Sequence, residues 1–369
     1  MRIAIVGCGQ LSRMMALAGI PFGIEFSFIN DSDNDDTRCV DGLGSVVKLS
    51  DYWQVGQDAQ ALFDALGKPD TVSVEKEQLD IQILQALAPY TRVNPCVDAV
   101  LACQHRNKEK SLLARLGIPS SPSLYCVSAK EAMEKLKLPM VAKSCSDGYD
   151  GKNQWVLKTP ADVEHFDSLN MQDYIIEAWI KFEREVSIVS ARGLNGAIMH
   201  YDITENEHQN GILKKSIAPA ANVSAALTKK AQSYMESLLT ELDYVGVMAM
   251  ECFVLNDELI INELAPRVHN SGHWTQIGSV TCQFENHVRA LAGIELGSTQ
   301  ILGSVGMLNL IGTDIPSVNE MSQALCGNSK LYWYNKVPRP GRKLGHINFL
   351  AADAETLSQA MQPLAKVVL

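Results

Sequence analysis

The chain opens with an apolar strand pattern, Arg2 to Val6, which breaks at Gly7-Cys8-Gly9 and resumes at helical spacing through Met14, Met15 and Leu17. A second strand pattern runs from Gly23 to Phe28 and leads to the acids Asp31 and Asp33. Strand, helix and strand in that order predict a βαβ opening. Val46-Val47-Lys48-Leu49 and Thr71-Val72-Ser73-Val74 read as further strands, so a parallel α/β domain is expected to about residue 100.

Beyond it the period changes. A helix is predicted from about Asn107 to Leu116, stopped by Gly117 and punctuated by Pro119 and Pro122. Met140–Ser144 and Gln154–Lys158 read as strands split by the glycine-bearing loop from Ser146 to Asn153. Tyr174 to Arg192 reads as strand, link, strand, and Leu227 to Leu242 as helix. Tyr244 to Leu264 reads as a long hairpin turning near Asn256-Asp257. After Gly297 short strands and turns predict a small closing domain.

Composition narrows the class. With 46% hydrophobic and 20% charged residues in 369, the chain is an ordinary globular protein of two or three compact units, not a disordered one. No apolar run reaches the roughly 18 residues of a membrane span. The start reads as a strand entering a turn, not as a secretory signal. A net charge of −10 argues against broad binding to nucleic acid or anionic membranes. The nine cysteines are odd in number and form no C-x-x-C, so they read as reduced core thiols of a cytoplasmic protein, not as disulfides or zinc ligands.

Several constellations could carry chemistry. Gly7-x-Gly9-x-x-Ser12 is an incomplete dinucleotide fingerprint, with Ser12 for the third glycine and Asp31 or Asp33 near the ribose-acid position. Its backbone N–H groups suit any anion, so a dinucleotide, another phosphate ligand and a purely structural turn all stay open. Lys143, at a strand end before the glycine loop, could set a point charge on phosphates, although an exposed hairpin explains it too. Glu177 ends an apolar run, and Glu183, Glu185 and Ser187 share one face, where a carboxylate could accept from ribose hydroxyls.

The sharpest pair is Glu251 and Glu263, acids ending two apolar strands. An odd-numbered loop such as Asn256-Asp257-Glu258 would set them side by side, whereas a two-residue turn would send them to opposite faces. Side by side they repel unless a cation intervenes, and Mg²⁺ shared with substrate phosphates fits two hard oxygen donors; independent surface roles are the alternative. Next comes Pro266 to Trp274, in which no Glu follows His269 and Ser271-Gly272 disfavours a helix, so a zincin reading fails. Arg267 and His269 read instead as an anion-stabilising wall. Lys336, Arg339, Arg342 and Lys343 crowd a proline-stiffened turn that suits a phosphate monoester. No wider basic stripe points to nucleic acid.

Taken in order, these stretches resemble the ATP-grasp superfamily, and within it the N5-carboxyaminoimidazole ribonucleotide synthetases of bacterial purine synthesis. The resemblance is most specific over Gly246–Phe253 and Ile261–Thr275, with support from Gly9-Gln10-Leu11, Gly148–Gly151, His208-x-x-Gly211-Ile212-Leu213 and Arg339–His346. It implies an α/β and α+β chain with an ATP-grasp fold: a Rossmann-like parallel-sheet domain at 1–100, a small ATP-grasp subdomain with a phosphate lid loop at 101–175, a large subdomain at 176–300 and a small closing domain at 301–369.

The same resemblance implies residue roles. Arg106, Lys143, Gly148, Tyr149, Asp150, Gly151, Glu177, Glu185, His208, Asn262 and Glu263 would bind ATP. Glu251 and Glu263 would ligate Mg²⁺. Gly9, Gln10, Glu75, Tyr149, Asp150, Lys336, Arg342 and Lys343 would surround aminoimidazole ribonucleotide. Arg267 and His269 would act at bicarbonate or carboxyphosphate, and Lys143 would be catalytic by offsetting charge on the transferring phosphoryl group. A cytoplasmic homodimer is the family expectation. Asp147 departs from the family pattern, and its charge near phosphates is expected to weaken ATP binding. Another ATP-grasp ligase, or a nicotinamide oxidoreductase resting on the first glycine turn alone, are the competing readings.

Overall fold

The computed structural model describes residues 1–32, 36–146, 153–312, 325 and 327–368. Three sheets organise them. The first is wholly parallel: β1 (Arg2–Val6), β2 (Glu25–Asn30), β3 (Ser45–Lys48), β4 (Thr71–Val74) and β5 (Arg92–Val93), in the order β3-β2-β1-β4-β5. Helices cover both faces, which is why β1 reads as an unbroken apolar run. Ile3 and Ile5 pack with Met14 and Met15 on one side, while Ala4 and Val6 pack with Leu62 and Leu84 on the other.

The second sheet is antiparallel and small: β6 (Ser123–Tyr125), β7 (Met140–Ser144), β8 (Gln154–Leu157) and β9 (Tyr174–Ala178), ordered β6-β9-β7-β8. The third has nine strands: β10 (Arg184–Arg192), β11 (Ile198–His200), β12 (Thr204–Gln209), β13 (Ile212–Ala218), β14 (Gly246–Leu255), β15 (Glu258–Ala265), β16 (Ser304–Ile311), β17 (Ser329–Trp333) and β18 (Lys343–Ala351). Its order is β15-β14-β10-β12-β13-β16-β18-β17, with β11 on β10. The strands after residue 301 extend this sheet through the β13–β16 pairing and do not form a sheet of their own. Helix Ala225–Glu241 presents Leu227, Ala231, Met235 and Leu238, at the 3–4 residue spacing of a buried stripe, to Ile188, Met248 and Met250.

The β14–β15 hairpin corrects one expectation. Leu255 pairs with Glu258, so the turn is the two residues Asn256 and Asp257, both left-handed at φ 52° and 57°. Asn and Asp tolerate that region, and such a turn matches strand twist. Taken alone, this geometry would send the two acids to opposite faces. The register then slips between Glu251 and Cys252: Cys252 pairs with Ile261, but Glu251 pairs with Glu263. Asn262 is the extra residue of a β-bulge, and the bulge restores the side-by-side arrangement.

Candidate functional site

Glu251 and Glu263 therefore stand opposite each other, and the bulge aims Asn262 into the same cleft, which Glu185, His208 and Glu251 also line. Burial, and after it the charge of Glu263, push the Glu251 carboxyl up to about 7. The pair is short of positive charge. Arg106, the first residue of helix Arg106–Arg115, supplies some, with Nη1 3.3 Å from Glu263 Oε2. Its backbone N–H donates to the Cys145 carbonyl at 3.0 Å, tying the helix start to the end of β7.

Lys143 is buried at the end of β7, donating to Glu177 Oε2 at 2.9 Å and to Asn262 Oδ1 at 3.3 Å. Glu177 also meets Lys110 Nζ at 3.2 Å. Burial disfavours its charge, but the two lysines win and hold it at about 2. Its carboxylate is therefore engaged in ion pairs. Lys110 escaped the sequence reading, although it lies one helical turn beyond Arg106 on the same face.

Glu185 and His208 meet at 2.8 Å across β10 and β12. Burial pulls His208 towards neutrality, but the hydrogen bond to Glu185 and the charge of Glu251 outweigh it and raise its pKa. Glu183 accepts from the Asn256 N–H at the hairpin turn at 3.1 Å.

His269 is oriented by a buried chain of donors. Ser216 Oγ donates to Asn206 Oδ1 at 2.8 Å, Asn206 Nδ2 to Ser187 Oγ at 2.9 Å, and Ser187 Oγ to Ser271 Oγ at 2.7 Å. Ser271 Oγ lies 2.8 Å from His269 Nδ1, to which the Ser271 backbone N–H also donates at 3.3 Å. Nδ1 is thus an acceptor, so the ring proton sits on Nε2, 3.4 Å from Glu251 Oε1. Burial, then the charges of Arg267 and Lys343, push His269 well below its usual pKa. The imidazole is a neutral donor aimed at the paired acids.

Arg267 is gripped by Glu77, whose two oxygens accept from Nε at 2.5 Å and Nη2 at 3.1 Å. Burial opposes charge on Glu77, yet Arg267 holds it below the usual carboxylate range. Glu77 was also missed; its only signal was a second acid two residues after Glu75 at a strand exit. Glu109 is a third, accepting from the Leu264 N–H at 2.9 Å and pushed up to about 8 by burial.

The first glycine turn holds an anion, but one of the chain's own. Glu75 accepts from the N–H of Gly9 at 2.7 Å and of Ser12 at 3.0 Å, filling the helix N-terminus. A Cβ at Gly7, whose φ is 115°, would fall 2.3 Å from Glu75 Cγ, so glycine is required there. Asp31 pairs with Lys76 at 3.0 Å. The glycine turn and Asp31, two of the features behind a nicotinamide reading, are thereby spent on internal contacts; Asp33 lies outside the described residues. Gln10 Oε1 accepts from Lys336 Nζ, joining this turn to the basic loop. Arg342 reaches the Val337 carbonyl at 3.1 Å and Asp36 at 3.3 Å, whereas the charge of Lys343 is felt at Glu251, His208 and His269. Asp147, Gly148, Tyr149, Asp150 and Gly151 lie outside the described residues.

Comparison with known proteins fits this geometry. Residues 1–104 match the ribonucleotide synthetase preATP-grasp domain, 111–284 the ATP-grasp domain, and 306–360 the phosphoribosylaminoimidazole carboxylase C-terminal domain. The N5-carboxyaminoimidazole ribonucleotide synthase of Vibrio cholerae is 37% identical, over 100% of this chain and 96% of that protein. The chain belongs to the N5-carboxyaminoimidazole ribonucleotide synthase family. Among solved structures, the synthetase of Thermus thermophilus aligns at a TM-score of 0.89 and 36% identity, covering 99% of this chain and 98% of that one. The synthase of Aspergillus clavatus in complex with ADP and 5-aminoimidazole ribonucleotide aligns at 0.88 and 26% identity, covering 100% and 98%. As a synthase of this family the chain is an ATP-dependent ligase forming a C–N bond in purine biosynthesis. No helix among the described residues is long and apolar enough to cross a membrane.

Proposed function

We propose that the chain condenses ATP, bicarbonate and 5-aminoimidazole ribonucleotide to N5-carboxyaminoimidazole ribonucleotide, ADP and phosphate. The observation that carries this reading is one cleft in which two opposed carboxylates, Arg106, Lys143 and the Nε2–H of His269 converge. Glu251 and Glu263 suit Mg²⁺: both offer carboxylate oxygens, and the Glu251 pKa is raised by burial and then by repulsion from Glu263, a repulsion that a divalent cation relieves. Once bound, such an ion offsets phosphate charge.

The remaining chemistry falls to the chain's own residues. Lys143 and Arg106 would hold the phosphates of ATP, while Glu185 and His208 would meet the ribose. Since the Glu177 carboxylate is taken by two lysines, an adenine contact there would fall to the backbone that follows it. Arg267, fixed by Glu77, and His269 would grip bicarbonate while an oxygen of it takes the γ-phosphoryl group and ADP leaves. The amine nitrogen then bonds to the carboxyphosphate carbon as its C–O bond to phosphate breaks, and the departing phosphate takes the proton the amine loses. His269 donates here and does not accept the amine proton, because Nδ1 is already an acceptor and Nε2 carries hydrogen. Gly9, Gln10, Glu75, Lys336, Arg342 and Lys343 would bind aminoimidazole ribonucleotide, its phosphate lying towards the basic loop.

Phosphate release measured with each substrate omitted in turn tests the reading. Release is expected only when bicarbonate and aminoimidazole ribonucleotide are both present. Release with either one alone, or with another acceptor, would favour a different ATP-grasp ligase.

A further inference from the structure

Away from the paired glutamates, three metal-capable side chains of different chemistry come together. His105 stands between helices Val97–Gln104 and Arg106–Arg115, Cys145 follows β7, and Asp173 precedes β9. Each offers one ligand atom, and these atoms lie within 4.8 Å of one another. His105 Nε2 is 2.8 Å from Asp173 Oδ1. We propose that His105, Cys145 and Asp173 form a binding site for one zinc-class transition-metal ion, distinct from the carboxylate pair.

The donors are held independently of any ligand. The Cys145 N–H donates to the Asp173 carbonyl at 3.0 Å, and the Arg106 N–H to the Cys145 carbonyl at 3.0 Å, so all three segments are laced by backbone. Tyr125 Oη donates to Asp173 Oδ1 at 3.0 Å, orienting the carboxylate as an outer partner does in metal sites. Tetrahedral zinc with bonds of about 2.0–2.3 Å sets a nitrogen, a sulfur and an oxygen donor roughly 3.3–3.5 Å apart, a change of about 1.3 Å or less from this arrangement. One nitrogen, one sulfur and one carboxylate oxygen favour zinc or cobalt over magnesium. Asp173 is partly exposed, which leaves a route in and a fourth position for water.

The same trio is not a nucleophilic triad. The His105 nitrogen that would serve as base is committed to Asp173, and burial pushes the Cys145 thiol up to about 12, so no thiolate is held ready. On binding, the S–H bond breaks, its proton passes to buffer and a metal–sulfur bond forms. The ring proton of His105 moves to Nδ1, which has no hydrogen-bond partner among the described residues.

The test is a cobalt titration of the full-length protein in excess Mg²⁺, which keeps the paired glutamates filled and separates this result from the Mg²⁺ reading. One equivalent of Co²⁺ is expected to produce a sulfur-to-cobalt charge-transfer band that Zn²⁺ displaces. Cys145→Ser should abolish the band, and Asp173→Asn and His105→Gln should each weaken binding at least about tenfold with circular dichroism unchanged. Absence of the band in the wild type, or its survival in a folded Cys145→Ser, would overturn the proposal. Should Cys145→Ser not fold, unchanged affinity in both other variants would do the same.

Discussion

Glu263 faces Glu251 only because one extra residue, Asn262, interrupts the ladder between their strands. A two-residue turn followed by regular pairing would have put Asn262 opposite Glu251 and turned Glu263 away. The bulge instead turns both Asn262 and Glu263 towards the cleft, one reaching Lys143 and the other Arg106. A local break in a sheet thus gathers two cations and two acids at one place.

Glu251→Gln and Glu263→Gln should each lower turnover at least about 10²-fold, since several kcal/mol of charge stabilisation is lost. Neither acid supplies apolar packing, and the Glu251 pKa is held up by burial and then by Glu263, so far-ultraviolet circular dichroism should stay close to wild type and Tm should not fall. Phosphate release at saturating Mg·ATP measures the effect, and wild-type turnover in either variant would remove the metal assignment.

His269→Ala should cost about 10²–10³ in kcat/KM for bicarbonate, the loss of one oriented donor. Ser271→Ala should cost less, because the backbone N–H of residue 271 still donates to Nδ1 and holds the tautomer. Equal losses in the two would mean that the hydroxyl, not the backbone, sets the ring. Steady-state rates at varied bicarbonate separate these outcomes.

Glu77→Gln should release the Arg267 guanidinium from its bidentate grip and lower kcat/KM for bicarbonate about tenfold, leaving the KM for ATP unchanged. A change confined to the ATP KM would place Arg267 elsewhere.

Two buried carboxylates give opposite pH signatures. Glu177 has a folded pKa lowered to about 2, so its stabilisation is complete above about pH 4.5 and fades as pH falls through 2. Glu177→Gln, which strands Lys110 and Lys143, should destabilise by roughly 3–5 kcal/mol at pH 7. Glu109 has a folded pKa raised to about 8, so the unfolded chain sheds its proton first and stability falls as pH rises from about 4.5 to 8. Glu109→Gln should therefore gain several degrees of Tm over wild type at pH 8 and little at pH 4.5. Thermal melts across that range check both signs.

Much of this was legible along the chain. The βαβ opening, the helix before Gly117, the strands around the glycine loop and the β14–β15 hairpin all follow from period and punctuation, which are local. The candidate acids were legible because carboxylates at the ends of apolar strands have no packing reason to be there. Glu77, Lys110 and Glu109 were not, because each matters through a partner remote in sequence: Arg267, Glu177 and the Leu264 backbone.

The amino-acid order by itself set the element types, the family and the candidate reacting groups, since periodicity, turn chemistry and motif are written in neighbouring residues. Folding in three dimensions settled which charges meet. It placed Glu75 at the helix N-terminus where a ligand's phosphate could have sat, slipped the register that opposes Glu251 to Glu263, and fixed the His269 proton through the Ser271 backbone N–H and a chain of buried side chains. Those outcomes depend on pairings between distant segments and on burial. Coulomb energy and desolvation act through space, so spacing along the chain does not record them.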